Sequence, residues 1–505
     1  MRFLPLLVAL CCSLPLVSLA TPISLASDGK SRAVIVAPSR VMEDDRDISK
    51  IPGRSRDAQR EMDRRRLRES ARDLSVYLGR MGGTPPVEIV TSTQAVPAGK
   101  IPICLGELAE EKFGPVGKTF PGKQAFRYVA NRRGLGLYGE SDLASSYAVY
   151  ELLDKLGCRW FIPGELGECI PTFERLEILP EDYAKSPGTL CRQIWAADDA
   201  FRRRNRLGGI NLQPNHALEG YLTKKDREAH PEYRAVVDGV PSDKRLKWSS
   251  REVALAIAEK IIARLDKVPQ DSVSLSPDDG AKFDESEDDR KLDAGDFDPT
   301  FQTVSLTDRL MVLCNRIVDE VVKRHPDTLF GVLAYVQYTR PPVRERLHPN
   351  LIPQIAPISY DRAHPITDED APNNAEYRKL IEGWARVAPR ISYYPYAYHL
   401  AEISAPYPLI RKWSVDLPLY YRNHCAFWQP ETTANFESTM HGLYLGMRLA
   451  WDPSQDPEAI IRELNERFYG NAAPAMTAYW NDIDSVWVDV PEYTGGDFGY
   501  LLRFT

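Results

Sequence analysis

Two adjacent carboxylates close a short apolar run: Val273-Ser274-Leu275-Ser276-Pro277-Asp278-Asp279-Gly280. Apolar and small polar residues alternate up to Ser276, as in a short strand. Pro277 and Gly280 then stop it. Acids at the C-terminal end of a strand suit the catalytic face of a (β/α) barrel. Paired carboxylates there are what glycosidic bond cleavage needs: one protonates the leaving oxygen, the other stabilises or attacks the anomeric carbon. The competing reading is a turn whose Asp side chains bond their own backbone. Glu431 follows an apolar segment, Leu417 to Trp428, through Gln429-Pro430, and is read as a second strand-end acid. Asp279 and Glu431 are thus the catalytic candidates. Asp278 is placed with them because a neighbouring like charge raises a carboxyl pKa.

Aromatic residues gather near the same strand ends: Tyr335, Tyr338, Tyr393, Tyr394, Tyr396, Tyr398 and Trp428. Such rings offer flat apolar faces for sugars, and about half of the set is expected to be core. Tyr338, Tyr396 and Trp428 are the preferred binding residues.

The elements that must position these groups fall into two patterns. Residues 31–180 read as a small α/β domain. Its strands are Ala33 to Val36, Val87 to Val90 and Ile101 to Cys104. A hairpin spans Phe126 to Val129 and Gly134 to Tyr138, and a helix carries Ala144 to Leu152. Arg54 to Arg72 alternates arginines with acids and reads as the solvated face of a helix running to Leu78. From 190 to 450 strands recur with helices between them. The strands expected are Arg192 to Ala196, Gly209 to Leu212, Ser272 to Ser276, Phe330 to Gln337, Ile355 to Tyr360, Ile391 to Tyr398 and Leu417 to Trp428. Helices are expected at Val253 to Leu265 and Leu306 to Arg324. This order predicts a (β/α)8-type, TIM-like barrel in an α/β protein. Residues 451–505 read as a helical C-terminal segment.

The chain has 505 residues, 43% of them hydrophobic, and a formal charge of −7. That length supports more than one domain, and mild acidity argues against a nucleic-acid partner. Residues 1–20 have the form of a cleaved export signal: Arg2, an apolar run from Phe3 to Leu19, then Ala20. No later run is apolar enough to span a bilayer. A periplasmic or extracellular protein is expected. Six cysteines lie beyond the signal, without Cys-x-x-Cys spacing, and no His-Glu-x-x-His occurs. Neither a metal site nor a cofactor is expected. The acidic run from Asp284 to Asp298 lacks the glycine spacing of an EF-hand loop and reads as a solvated loop, with calcium binding as the minority alternative. Nothing in the pattern sets an oligomeric state.

Gly157-Cys158-Arg159-Trp160-Phe161-Ile162-Pro163-Gly164-Glu165-Leu166-Gly167-Glu168-Cys169-Ile170-Pro171, with Gly139, Ala144, Tyr147, Ala148 and Tyr150, resembles the end of the N-terminal domain of family 20 hexosaminidases and family 67 α-glucuronidases. A wider series resembles bacterial proteins called domain of unknown function 4838. It includes Asn215-His216, His230-Pro231-Glu232-Tyr233, Ser276 to Gly280, Leu333-Ala334-Tyr335, Asn373-Asn374, Glu431, Leu449 to Pro453 and Tyr469-Gly470. Some of those proteins are placed in glycoside hydrolase family 163, endo-β-N-acetylglucosaminidases acting on N-glycans. The resemblance implies a retaining glycosidase for β-linked N-acetylglucosaminides and makes His216 a sugar-binding candidate. α-Glucuronidase activity or a catalytically silent carbohydrate-binding barrel are the alternatives. Two departures stand out: Phe283 to Arg290 lacks the cysteines that relatives often carry, and Asp278 stands where they commonly have Asn.

Overall fold

The computed structural model describes residues 21–280, 282–371, 373–399 and 402–489. The export signal expected over residues 1–20 lies outside them.

The first layer is a six-stranded sheet. Its strands are β1 (Ala33–Val36), β2 (Ile89–Val90), β3 (Ile101–Leu105), β4 (Phe126–Asn131), β5 (Gly134–Gly139) and β6 (Glu181–Lys185), in the order β6-β4-β5-β3-β1-β2. Helices α1 (Arg56–Gly82) and α2 (Asp142–Lys155) pack against each other and contribute Leu67, Leu74, Leu78, Tyr147 and Leu152 to the core. Ser55 and Ser141 cap them, each accepting a backbone N–H three residues on. The arginine-rich face of α1 is not wholly solvated. Arg66 lies over the Tyr147 ring, and Asp73 accepts from Tyr150, Arg203 and Arg204. That face is turned toward the second layer.

The second layer is a curled seven-stranded sheet. It contains β7 (Cys191–Arg192), β8 (Gly208–Gly209), β9 (Ser272–Ser274), β10 (Leu329–Ala334), β11 (Leu351–Ile355), β12 (Ile391–Tyr393) and β13 (Cys425–Trp428). The order is β8-β7-β13-β12-β11-β10-β9, parallel throughout except for β8 on β7. Connecting helices include α3 (Arg251–Lys267), α4 (Thr307–Val321), α5 (Asn374–Val387) and α6 (Ile410–Arg422). The βα order of a barrel is present, and an irregular segment replaces a further strand. Residues 211–216 run beside β9, where Ser272, Ser274 and Ser276 donate their hydroxyls to the carbonyls of Asn211, Asn215 and Pro214. The alternating serines of the opening motif are therefore the stitching of the sheet's seam.

Most expected strands are shorter than read: Arg192 to Ala196 becomes Cys191–Arg192, Gly209 to Leu212 becomes Gly208–Gly209, and Ile391 to Tyr398 becomes Ile391–Tyr393. Two more differ in kind or in place. Leu417 to Arg422 is the end of α6, because Trp413, Leu417 and Tyr420 recur at helical spacing and are buried together; only Cys425–Trp428 is strand. The strand expected from Ile355 to Tyr360 ends at Ile355 and starts at Leu351. The helical end holds α7 (Phe436–Trp451), α8 (Pro457–Tyr469) and α9 (Ala473–Val488).

The acidic run is solvated only in part: Glu285, Glu287 and Asp288 are exposed. Asp284, Asp289 and Asp298 are buried and accept backbone N–H groups of Val236, Ser249 and Thr300. The layers are joined by charge as well as by apolar packing. Burial alone would raise the Asp154 carboxyl, but Arg448, Arg206 and Arg159 outweigh it and hold it far below the usual carboxylate range. Among the described residues no helix is long and apolar enough to cross a membrane, and no group of three or more His, Cys, Asp or Glu side chains could hold a metal ion.

Candidate functional site

Strand periodicity decides what the barrel face displays. Residues just past the C-terminal ends of β7, β10, β11, β12 and β13 converge on a cleft of about 610 Å³. Its lining includes Gln193, Trp195, Tyr335, Ala356, Tyr394, Tyr396, Tyr398, Gln429 and Glu431; the seam segment adds Asn211 to His216, and the small domain adds Arg54.

Glu431 is the one carboxylate among the described lining residues. Its backbone pairs with the chain after β12: its N–H donates to Pro395 O, and Ala397 N–H donates to its carbonyl. That register places Glu431 opposite Tyr396. Tyr394, Tyr396 and Tyr398 alternate on an extended segment, so all three reach the cleft. Tyr394 donates to Oε2 of Glu431 at 2.7 Å and Tyr398 to Oε1 at 2.5 Å. Burial, then the bond to Glu431, pushes the Tyr394 hydroxyl well above its ordinary pKa, so it stays a donor.

The floor is made of amides. Gln354, fully buried, donates to Ser392 Oγ and to Gln429 Oε1, and Gln429 donates to Leu212 O. Oε1 of Gln354 has no hydrogen-bond partner among the described residues. Tyr396 is 8% exposed, edge-on to Tyr394, with the Arg362 guanidinium 4.9 Å from its ring centroid. His216 is exposed on the wall, and its Nδ1–H meets the carbonyl of Pro277.

Asp278 and Asp279 sit one and two residues beyond that carbonyl and do not line the cleft. Their turn is clamped from below. Arg245, buried and paired with Glu219, donates to the carbonyls of Asp278 and Asp279, and Asp278 N–H donates to Glu219. Asp279 is exposed, and Oδ1 accepts from Gly280 N–H, as the turn reading has it. Gly280 has φ +126°, and a Cβ there would lie 2.9 Å from Arg245. Tyr335 links the two candidate acids: burial first, then the charges of Asp279 and Glu431, raise its pKa.

Two binding candidates lie elsewhere. Trp428 is fully buried, edge-on to Trp413 and against Gly446 of α7. Successive strand residues face opposite ways, so the β13 end that delivers Gln429 inward sends Trp428 toward the helices. Tyr338 is 1% exposed in a 3-10 turn, edge-on to Phe283. Both are core. The structure thus gathers Glu431, Tyr396 and His216, leaves Asp278 and Asp279 in a neighbouring turn, and removes Tyr338 and Trp428. Sequence reasoning missed Trp195, Arg54 and the amide floor. The six amides of the lining are ordinary polar residues in sequence, and only their convergence marks them.

The profile of a family described as domain of unknown function, DUF4838, matches residues 162–481. No curated protein matches the sequence. Among solved structures, a family GH115 4-O-methyl-α-glucuronidase, BtGH115A, with specificity for decorated arabinogalactans, is similar at 14% identity and a TM-score of 0.49, over 83% of this chain and 60% of that one. The chain therefore spans less than two thirds of that protein's length. A Flavobacterium johnsoniae chitobiase is similar at 10% identity and a TM-score of 0.41, over 92% and 71% of the two chains. A Streptomyces plicatus N-acetyl-β-hexosaminidase gives 12% and 0.41, over 90% and 94%. Likenesses this distant assign neither a substrate nor a residue role.

Proposed function

The chain belongs to the DUF4838 family, and we propose that it is an exported glycoside hydrolase acting on a glycan at the cleft around Glu431. The observation that carries the reading is the grip on Glu431. An ionised carboxylate is acceptor-only, and two tyrosine hydroxyls donating to its two oxygens fix it in the cleft. A negative group so held suits the positive charge that develops at an anomeric centre. The leader-like residues 1–20 support export.

The finer reading is hydrolysis of a β-linked N-acetylglucosaminide with retention. A two-carboxylate mechanism wants its second acid about 5–9.5 Å from the first, and the cleft lining holds one. A 2-acetamido sugar supplies its own nucleophile, the acetamido carbonyl oxygen, which attacks the anomeric carbon. Its N–H gains positive charge in that step and pairs with Glu431. The leaving oxygen must also gain a proton, and the water that opens the cyclic intermediate must lose one; the lining holds no second carboxylate for this, and Asp279 in the neighbouring exposed turn is the candidate that the variants test. Oε1 of Gln354 offers a buried acceptor to a sugar hydroxyl. The experiment is glycan release by wild type, Asp279→Asn and Glu431→Gln, with matched glucosides as controls. Cleavage of glucosides as fast as of N-acetylglucosaminides would overturn the acetamido mechanism.

One observation favours a second reading, a uronide as substrate. Arg54 is the one Lys or Arg among the described lining residues, held by Gln213 at 2.6 Å. Release of a uronic acid, lost in Arg54→Ala, would select it.

A further inference from the structure

Eight of the chain's nine tryptophans are no more than 9% exposed; Trp195 is 50% exposed, and it lines the cleft. An indole left wet in a concave, polar-floored site is an unused apolar face. Trp195 is nonetheless held in place. Its carbonyl accepts from Thr432 Oγ1 at 2.8 Å and from Ala197 N–H at 2.5 Å. Ala196 takes φ +51°, a left-handed conformation uncommon for a residue with a Cβ. The ring stands edge-on to Tyr394, centroids 5.8 Å apart. Both anchors belong to Glu431: Thr432 is the next residue in sequence, and Tyr394 is one of the two hydroxyl donors.

We propose that Trp195 is a carbohydrate-stacking platform that receives a pyranose ring beside Glu431. The ligand class is a pyranoside with equatorial substituents, which presents a flat face of axial C–H bonds to the indole while its hydroxyls reach the amides of the floor. This rests on the glycosidase reading and adds the surface that orients the sugar. Ordering the platform through Thr432 and Tyr394 ties ring position to carboxylate position, so a sugar seated on the indole arrives in register with Glu431.

The test is binding rather than turnover, in the full chain carrying Glu431→Gln so that the probe is not consumed. The probes are N,N′-diacetylchitobiose and tetra-N-acetylchitotetraose, titrated by calorimetry and tryptophan fluorescence against Trp195, Trp195→Phe and Trp195→Ala. The expected result is an emission change on binding that disappears in both variants. Affinity should fall roughly tenfold or more in Trp195→Ala, with a smaller loss in Trp195→Phe, which keeps a ring. Melting temperature should be nearly unchanged, because the indole is half exposed. Equal affinity in Trp195→Ala and its parent would overturn the platform and leave the glycosidase reading standing. No binding of either probe by the parent, with glycan cleavage also absent in wild type, would overturn both.

Discussion

The hydroxyl of Tyr394 lies 2.7 Å from Oε2 of Glu431, and the two residues come from neighbouring parallel strands, β12 and β13. The pairing of their extended ends, Glu431 N–H to Pro395 O and Ala397 N–H to Glu431 O, fixes the distance. Backbone register sets the position of the carboxylate here, and the tyrosines set its orientation.

Tyr394→Phe and Tyr398→Phe should each lower kcat/KM roughly 10- to 100-fold, since a hydrogen bond to a charged group contributes about 1.5–3 kcal/mol. Both rings stay, so thermal stability should change little. Steady-state kinetics beside a melting curve checks this; an unchanged kcat/KM in both variants would mean that the grip on Glu431 has no catalytic role.

Trp428→Ala should cost about 3–5 kcal/mol of stability, as a core aromatic deletion, and leave glycan affinity of the folded protein intact. Gly446→Ala tests the same contact from the helix side. Its Cβ would lie 2.2 Å from the Trp428 ring, so Gly446→Ala should destabilise even though Ala is the better helix former. Denaturant titrations of the two variants measure both effects.

His441 supplies a pH dependence. It is buried on α7 against Trp480, with Nε2 bonded to Asn465, and burial lowers its pKa from 6.5 to about 4. The unfolded histidine takes up a proton near pH 6.5, the folded one only near pH 4. Between these values the unfolded state binds more protons, so stability falls as pH falls. The loss should reach on the order of 3 kcal/mol across the window. The stability difference between wild type and His441→Gln, measured from pH 7 to pH 4, should shrink or reverse as pH falls; a pH-independent difference would contradict the assignment.

Helices α3 and α4 were legible because their stripes are long: both lie within a few residues of where periodicity puts them. The short parallel strands were not. β11 contains Pro353, a residue that argues against a central strand. It is accommodated because β11 pairs with β12 only from Gln354 onward. Leu417 to Trp428 merged a helix end and a strand because both are largely apolar and only Arg422, Asn423 and His424 break them. Glu431 was legible as a strand-end acid. The face taken by Trp428 was not, since a one-residue offset decides between cleft and core. Trp195 follows a two-residue strand too short to carry a pattern, and its importance lies in exposure, which composition does not record.

The central claim, that the carboxylate of Glu431 turns over a glycan, is tested most directly by mass-spectrometric glycan release from an N-glycosylated protein, comparing wild type with Glu431→Gln. The exchange keeps the shape of the side chain and removes its charge. The account predicts release by wild type and a loss of several hundredfold or more in the variant, on the order of 3–4 kcal/mol of transition-state stabilisation. Equal release by the two proteins would contradict it.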